Sequence, residues 1–268
     1  MSSRTEVARL ADQAISILTF HSISDGEGAT NIPPDVFRMQ IESIAELGVE
    51  VVGLAEVKNW LAGRHEIEKP TIVITFDDAF SDFAETAFPI LNRCGFKPCV
   101  FAPTGLVGGV ETWAPPGAPQ RKLMDWATLK DLSRQGVDFQ SHACSHQKLT
   151  ALGDDELENE LVASRKTLED RLSCEVSFFA PPYGDSNARV RDAIARHYDL
   201  SLGVNLNKAR RTAPKYDLPR IDMHYFRDRP LWRSFLKGKG DAYLNLRRTL
   251  RGARQVMENV SMRKGAGA

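Results

Sequence analysis

The sequence predicts an α/β fold in which a parallel sheet is covered by helices. Eight short β-rich runs alternate with helical stretches along the 268 residues. The helical stretches carry apolar side chains at three- and four-residue spacing, as in Phe37, Ile41, Ile44 and Leu47. Strands that alternate with helices pair in parallel, and their functional side chains then lie at the carboxyl ends of the strands. The predicted strands cover residues 15–20, 49–52, 71–76, 98–101, 137–141, 176–179, 200–204 and 218–223.

The composition is typical of a globular enzyme, with 42% hydrophobic and 26% charged residues. A chain of this length can bury a full-sized core in one domain. Lys+Arg and Asp+Glu both number 35, so the net charge of zero does not favour nucleic acid as a partner. The charge is unevenly distributed, however, because residues 227–268 carry 11 Lys and Arg against 3 Asp and Glu, a local charge of +8.

The N-terminal residues 1–13 carry charges of both signs and lack an apolar run of signal-peptide length. No apolar run along the chain is long enough to predict a transmembrane helix. The four cysteines form no Cys-x-x-Cys pair, which is typical of a protein with reduced thiols. We therefore expect a cytoplasmic protein, with membrane association through its basic C-terminal segment as an option.

The predicted strand 71–76 ends in two adjacent carboxylates, Asp77 and Asp78. Two carboxylates at the end of a buried strand are costly to desolvate unless a cation or a proton neutralises one of them. The alternative is that the pair caps the following helix. The segment therefore indicates either a metal or acid–base site, or a helix cap.

Two histidines four residues apart, His142 and His146, directly follow the predicted strand 137–141. They can converge on one metal ion, and a carboxylate from another strand end would complete the set of ligands. The alternative is that they cap or fill the core. Cys144 lies between them and is a further candidate ligand if it forms a thiolate, but if the segment turns helically its side chain points the other way and packs instead.

Two segments rich in proline and glycine are predicted to be loops near these side chains. Residues 181–184, Pro-Pro-Tyr-Gly, follow the predicted strand 176–179 and would hold Tyr183 in a rigid turn. The alternative is a simple turn from a strand into a helix. Residues 105–120 are predicted to be a long loop over the site.

Together these residues resemble the polysaccharide deacetylase family, the NodB-homology carbohydrate esterases. The family's first motif, Thr-Phe-Asp-Asp, is matched in full by residues 75–78. Its second, His-(Ser/Thr)-x-x-His, is matched by residues 142–146 with Ala143 at the hydroxyl position. Its third, Arg-x-Pro-Tyr, is matched by residues 180–183 with Ala180 in place of the arginine. The motifs occur in the family's order, and the resemblance extends over residues 17–221.

The resemblance implies a distorted (β/α) barrel of about seven strands. It implies that the chain hydrolyses the N-acetyl group of an amino-sugar unit in a polysaccharide, oligosaccharide or lipid-linked saccharide and releases acetate. Asp78, His142 and His146 would then bind a divalent metal, which is commonly zinc in this family. Asp77 would be the general base, and the backbone N–H of Tyr183 would contribute to the oxyanion hole.

The sequence departs from the family pattern at two functional positions, and the residues expected to replace them lie outside the three motifs. The missing motif-three arginine normally orients the catalytic aspartate, and Arg220 is expected to replace it because a guanidinium can hold a carboxylate by two parallel hydrogen bonds. The family's general acid is usually a histidine in a C-terminal Leu-x-His motif, which the segment ending at His224 matches only in part. One branch of the family carries this histidine on its first strand instead, and residues 17–21 resemble that permuted version. We favour His21 as the acid, with Asp222 orienting its ring, and keep His224 as the alternative.

Two other functions remain open at this point. One is hydrolysis of a different amide, such as a cyclic ureide, on the same scaffold. The other is a catalytically inactive relative that binds sugars. Retention of Asp77 beside all three ligand candidates argues against the inactive relative, because a binding module has no need of a base.

The C-terminal segment is predicted to be a basic amphipathic helix. Apolar residues recur every three or four positions, at Tyr243, Leu246, Leu250, Ala253, Met257 and Val260. One interpretation is that this stripe packs on the domain or on a second copy in a homo-oligomer, with a solvated basic face. The alternative is that the helix lies on an anionic membrane surface. We therefore divide the chain into a barrel domain, residues 1–226, and a basic amphipathic helical extension, residues 227–268.

Overall fold

The structure is a computed structural model that describes the backbone of residues 13–28 and 30–265 and the side chains up to residue 253. The predictions for residues 1–12 and for the apolar stripe beyond Ala253 lie outside what is described. The strands are β1 (Ala14–Phe20), β2 (Glu50–Val51), β3 (Thr71–Phe76), β4 (Cys99–Ala102), β5 (Asp138–Ser141), β6 (Phe178–Phe179), β7 (Leu200–Leu206), β8 (Ala209–Arg210) and β9 (Leu218–Asp222). The α-helices are α1 (Pro34–Glu46), α2 (Leu54–Leu61), α3 (Phe88–Arg93), α4 (Trp126–Arg134), α5 (Asp154–Leu172), α6 (Ala188–His197), α7 (Arg229–Leu236) and α8 (Asp241–Gly265).

Seven of these strands form a closed parallel barrel. The order is β3-β4-β5-β6-β7-β9-β1, and β1 pairs again with β3 to close the ring. The short strand β2 pairs in parallel with the start of β3, and β8 pairs antiparallel with the start of β1. The predicted α/β barrel of about seven strands is confirmed. Each of the eight predicted strands is present, and β8 is an additional strand that the sequence analysis does not predict.

Side chains along β1 and β3 point alternately to the inside and to the outside of the barrel. Ile15, Ile17 and Val73 belong to one buried cluster, which α2 covers through side chains such as Trp60. The intervening residues of both strands, such as Phe76, belong to a second cluster beneath the other helices. Because side chains alternate with a period of two, the next inward positions are Thr19, Thr75 and, just past the strand ends, His21 and Asp77. The carboxyl ends of these two strands therefore present polar groups above the apolar layer that Ile15, Ile17 and Val73 help to form.

The core continues past residue 226, where the sequence analysis ends the barrel domain. Trp232 of α7 is fully buried, and its indole N–H donates to the backbone carbonyl of Gln40 in α1 at 2.9 Å. Leu244 of α8 is buried as well. By contrast, Leu246 and Leu250 of the predicted apolar stripe are 56% and 52% exposed. Within the described residues, the part of the stripe that these two leucines form does not pack on the barrel.

None of the described helices is long and apolar enough to cross a lipid bilayer.

Candidate active site

A cavity of about 240 Å³ lies at the carboxyl ends of the barrel strands. Its walls include His21 after β1, Asp77 and Asp78 after β3, and Arg220 within β9. The motif residues His142, His146 and Tyr183 complete the wall after β5 and β6. The structure therefore brings all seven site residues that the sequence predicts into one cavity, while His224 is not among the residues that line it.

The backbone after β3 turns so that two consecutive carboxylates both reach the cavity. Asp77 continues the inward-facing positions of β3, and its N–H donates to the Phe20 carbonyl at 3.0 Å. Asp78 and Ala79 have φ values of 73° and 57°, in the left-handed region that side chains other than glycine rarely adopt. This turn places adjacent side chains on the same side of the chain, which an extended strand could not do.

Asp78, His142 and His146 form a buried group whose ligand atoms all lie within 4.8 Å of one another. The Asp78 Oδ1 atom is 3.3 Å from His142 Nε2 and 3.1 Å from His146 Nε2. Burial raises the pKa of Asp78, but the two histidines outweigh this effect and hold that pKa below its ordinary value. Two imidazoles and one carboxylate are a donor set that suits zinc and other divalent transition metals.

The second nitrogen of each histidine supports the fit to a metal. His142 Nδ1 lies 2.6 Å from the Ala180 carbonyl, so a proton on Nδ1 donates there and the lone pair of Nε2 faces Asp78. His146 Nδ1 is buried without a hydrogen-bond partner among the described residues. Cys144 does not belong to this group, because its thiol contacts Thr104 and the Glu160 backbone, and burial raises its pKa.

The turn that carries both histidines is held by Glu160 of α5, a residue that sequence reasoning misses. The Glu160 carboxylate accepts hydrogen bonds from the N–H groups of Cys144 and Ser145, at 2.6 and 3.0 Å. It also accepts one from the Ser145 hydroxyl at 2.6 Å. Ala143 stands where the family pattern has a hydroxyl residue, and Glu160 provides the hydrogen bonds that fix this turn.

Arg220 and Asp77 form a buried, two-pronged ion pair. Arg220 Nη1 donates to Asp77 Oδ1 at 2.7 Å, and Nη2 donates to Oδ2 at 2.8 Å. The Nε–H of Arg220 donates to the Gly203 carbonyl at 2.9 Å, which fixes the plane of the guanidinium. Burial raises the pKa of Asp77, but Arg220 and His142 together hold it below its ordinary value. Asp77 is therefore a carboxylate at neutral pH, with its position set by Arg220.

The two candidate acids lie in different surroundings. His21 Nε2 is 3.9 Å from Asp77 Oδ2, and its side chain is partly exposed to the cavity. His224 Nδ1 instead accepts a hydrogen bond from Arg227 at 2.9 Å. Burial and the Arg227 charge lower the pKa of His224. Asp222, which we expected to orient His21, accepts a hydrogen bond from the backbone N–H of His224 at 2.9 Å.

The turn after β6 projects Tyr183 into the rim of the cavity. Tyr183 has a φ of 61° and its side chain is half exposed, with its ring 4.7 Å from that of His146. The next residue, Gly184, has a φ of 66°, and a Cβ there would lie 2.4 Å from the side chain of Val204 in β7. Glycine is thus required at 184 both for its backbone conformation and for the close approach of β7.

Trp113, from the predicted loop over the site, stacks on the candidate ligand His146. The ring centroids are 3.6 Å apart with an interplanar angle of 25°. The base of the loop is held by Arg121, which donates to both oxygens of the buried Glu111 carboxylate and lies over the Phe80 ring. The loop therefore contributes a wall of the cavity, as its position in the sequence predicts.

Left-handed backbone is concentrated at this site. Among the described residues, four of the six non-glycine residues with positive φ belong to the three motif segments, namely Asp78, Ala143, His146 and Tyr183, and a fifth, Ala79, directly follows the first motif. The sixth, Ser173, ends α5. Such conformations cost about 1–3 kcal/mol each and persist where the surrounding structure enforces them, often at functional sites.

Residues 64–200, more than half of the chain, match the sequence model of the family described as polysaccharide deacetylase. The chain belongs to the polysaccharide deacetylase family. The matched range contains Asp77, Asp78, His142, His146 and Tyr183, but neither His21 nor Arg220.

Two curated proteins share parts of this polysaccharide deacetylase sequence. YxkH of Bacillus subtilis is 22% identical over 208 residues, which are 77% of this chain and 70% of YxkH. The poly-beta-1,6-N-acetyl-D-glucosamine N-deacetylase of Escherichia coli K12 is 25% identical over 139 residues. That second match spans 47% of this chain and only 20% of the E. coli protein.

Solved structures share the fold of this polysaccharide deacetylase. The deacetylase PplD of Streptococcus pyogenes, in complex with acetate, superposes with a TM-score of 0.69 and 25% identity, over 78% of this chain and 92% of PplD. IcaB from Ammonifex degensii superposes with a TM-score of 0.69 over 85% of this chain and 97% of IcaB. Because IcaB is only 18% identical in sequence, this second comparison shows a shared fold and nothing further.

Proposed function

We propose that this chain is a metal-dependent deacetylase that hydrolyses the N-acetyl group of an amino-sugar unit in a polysaccharide, oligosaccharide or lipid-linked saccharide, and releases acetate. The observation that carries the proposal is the position of Asp77, a carboxylate held by Arg220, directly beside the Asp78–His142–His146 group in one cavity. A site that only binds sugar needs neither a free base nor a metal beside it.

The groups of this chain have separate roles in the proposed reaction. A divalent cation held by Asp78, His142 and His146 would supply Lewis-acid chemistry, lowering the pKa of water and polarising the acetyl carbonyl. Asp77 takes a proton from the attacking water, whose oxygen forms the new bond to the carbonyl carbon. The N–H of Tyr183 donates to the oxygen that gains negative charge.

Collapse of the tetrahedral centre breaks the C–N bond and requires a proton on the departing nitrogen. We assign this proton to His21, because it faces the same cavity as Asp77. The products are acetate and a free amine on the sugar. Arg220 is a positioning residue in this scheme, since it reaches the reaction only through Asp77.

The proposed metal is zinc, and the proposed substrate is an N-acetylated saccharide. The mixed imidazole and carboxylate donors suit zinc. Similar proteins support the substrate class, since one relative is an N-deacetylase of poly-beta-1,6-N-acetyl-D-glucosamine and a similar deacetylase structure holds acetate. A cytoplasmic location, contact with an anionic membrane and a homo-oligomer remain part of the proposal, and the exposed Leu246 and Leu250 are the surface on which such contacts would form.

The proposal is tested by metal analysis of the purified protein, followed by an acetate-release assay on N-acetylglucosamine oligomers. We expect one divalent metal per chain and acetate release that stops on chelation and returns with zinc. A cyclic-ureide hydrolase would release no acetate from these oligomers but would open a ureide ring. An inactive sugar-binding relative would bind the oligomers without turnover, and either result would contradict the proposal.

A further inference from the structure

Helix α8 contributes to the wall of the active-site cavity. Arg251 of α8 lines this cavity together with Val204 of β7 and Gly184 of the turn after β6. The same three residues also line a second cavity of about 330 Å³, which adjoins the first. A volume of this size lies in the range of about 300–1,000 Å³ that is typical of ligand pockets. The C-terminal helix therefore borders the place where a substrate would extend from the reacting acetamido group.

The position of α8 is set at its N-terminal end by several contacts. Asp241 pairs with Lys208 at 2.5 Å, and the Tyr243 hydroxyl donates to the Tyr225 carbonyl at 2.8 Å. Leu244 is buried in the main core. Residues 248 and 251 lie one and two helical turns beyond Leu244 on the same face, since residues three or four apart are neighbours on a helix surface. This face directs Arg248 and Arg251 toward the second cavity, which both of them line.

The two arginines give the second cavity an excess of positive charge. Neither guanidinium forms an ion pair or hydrogen bond with the side chains described up to residue 253, whereas Arg247 of the same helix stacks on the rings of Tyr225 and Tyr243. The acid that lines the second cavity is Asp217, so two cations face one carboxylate. Ser186 and Asn205 add neutral hydrogen-bonding groups to the wall.

We propose that Arg248 and Arg251 form an anion-binding subsite that selects amino sugars carrying a phosphate group next to the N-acetylated unit. This inference rests on the proposed function, because it names the class of substrate for the same site. Two guanidinium groups one turn apart present many N–H donors to the several oxygens of a phosphate. The phosphate could belong to a lipid-linked sugar or to a phosphodiester-linked polymer.

The test uses the metal-loaded, full-length protein and calorimetric titration at constant ionic strength. The probes are N-acetylglucosamine 1-phosphate and, as the neutral comparison, methyl N-acetylglucosaminide. We expect the phosphate to bind at least about tenfold more tightly, and Arg251→Ala or Arg248→Ala each to reduce that preference by about tenfold, the size expected for hydrogen bonds between charged groups. Arg251→Lys should restore part of the preference, because it retains the charge but not the planar fork.

The matched control is Arg196→Ala, which removes the same charge from the end of α6, where Arg196 pairs with Glu158 and lines neither of the two cavities. This variant should retain the full preference for the phosphate. Equal affinity of the wild type for both probes would overturn the subsite. A preference that survives in the arginine variants would also overturn it, since this is the result expected when the metal alone holds the phosphate.

Failure of the subsite and failure of the proposed function can be told apart. Acetate release from neutral oligomers without arginine-dependent phosphate binding would leave the function standing and remove the subsite. Arginine-dependent phosphate binding without acetate release from any substrate would leave the subsite standing and contradict the proposed function. A comparison of the 1-phosphate with N-acetylglucosamine 6-phosphate identifies the source of the phosphate. Tighter binding of the 1-phosphate indicates a sugar linked through its anomeric phosphate, as in a lipid-linked sugar. Tighter binding of the 6-phosphate indicates a polymer that carries its phosphate at the 6-position.

Discussion

Arg220 holds both oxygens of the Asp77 carboxylate, although the two residues are 143 positions apart in the sequence. They meet because both side chains face the inside of the barrel, Asp77 from just after β3 and Arg220 from within β9. The family motif that begins at position 180 carries alanine here, so the guanidinium comes from a different strand. The guanidinium that orients the Asp77 carboxylate is thus supplied from β9 in place of the turn after β6.

Replacing Arg220 with glutamine should raise the pKa of Asp77, because the positive charge that lowers this pKa is lost. The base is then protonated at higher pH, and the acidic limb of kcat/KM should move to higher pH. Removal of one partner of a buried ion pair should also destabilise the fold by about 3–5 kcal/mol. Arg220→Lys should restore part of the pH profile, since it retains the charge.

The measurement is kcat/KM from pH 4 to 9, with metal content determined at each pH. An acidic limb that stays in place in Arg220→Gln would show that Arg220 does not act through Asp77. Since the pKa of Asp77 is lower in the folded chain, the pair stabilises the fold above the ordinary carboxyl pKa of 3.8 and less so as the pH falls.

The strand pattern predicts most of the site because the carboxyl ends of parallel strands meet at one face of a barrel. Asp77, Asp78 and His142 directly follow their strands, and His146 is one turn further. Their convergence therefore follows from strand positions and a closed ring. The alternation of β9 likewise places Arg220 on the inward side, where Asp77 lies.

Other parts of the site have no local signal in the sequence. Glu160 lies in an acid-rich helix, and no feature of the neighbouring sequence distinguishes it from Glu158, which pairs with Arg196 at the surface. The apolar stripe of α8 identifies one face of the helix but not what covers it. In the structure Leu244, which lies off the stripe, is buried while Leu246 and Leu250 are exposed. These outcomes depend on contacts between distant segments, which periodicity alone does not contain.

Loss of either histidine of the metal group should lower metal content and activity together. His142→Ala and His146→Ala each remove one donor, and the remaining ligands bind a divalent ion less tightly. Asp77→Asn should differ by keeping the metal while losing about 10²- to 10⁴-fold in turnover, the usual effect of removing a general base. Elemental analysis and acetate release on the same samples make the comparison.

The matched control for the two histidine variants is His197→Ala, because His197 contacts Glu158 at the end of α6, away from the cavity. It should keep both metal and activity. Full metal content and full activity in His142→Ala would contradict the ligand assignment. Loss of metal in Asp77→Asn would make Asp77 a ligand and not the base.

Glu160→Gln should weaken metal binding without removing a ligand. The substitution replaces one carboxylate oxygen with an NH₂ group, which cannot accept a hydrogen bond. The carboxylate now accepts three, from two backbone N–H groups and the Ser145 hydroxyl, so the turn between the two histidines is held less firmly in the variant. Loss of an outer partner of this kind typically costs about 10- to 100-fold in metal affinity. A competition titration with a zinc chelator measures the affinity, and excess zinc should restore most of the activity.

Glu158→Gln is the matched control, since it is the same substitution on the same helix and its partners are Arg196 and His197. Its zinc affinity should equal that of the wild type. Equal affinity in Glu160→Gln would instead assign Glu160 to the stability of α5 alone. In that case thermal unfolding would change and the zinc titration would not.

The last prediction concerns the group that protonates the departing amine. An amine leaves only with a proton, so its donor must be protonated and within reach of the cavity. His21 lines the cavity beside Asp77, whereas His224 bonds to Arg227, which with burial lowers its pKa and keeps it neutral near pH 7. His21→Ala should therefore reduce turnover on the N-acetyl substrate by about 10²- to 10⁴-fold with metal content intact. His224→Ala should retain activity.

An activated acetyl ester, whose leaving group departs without a proton, separates acid catalysis from a general loss of structure. On that ester His21→Ala should lose much less activity than on the amide. On the amide, the basic limb of the pH profile of His21→Ala should differ from that of the wild type. Equal losses on ester and amide, or a loss in His224→Ala alone, would assign the acid elsewhere.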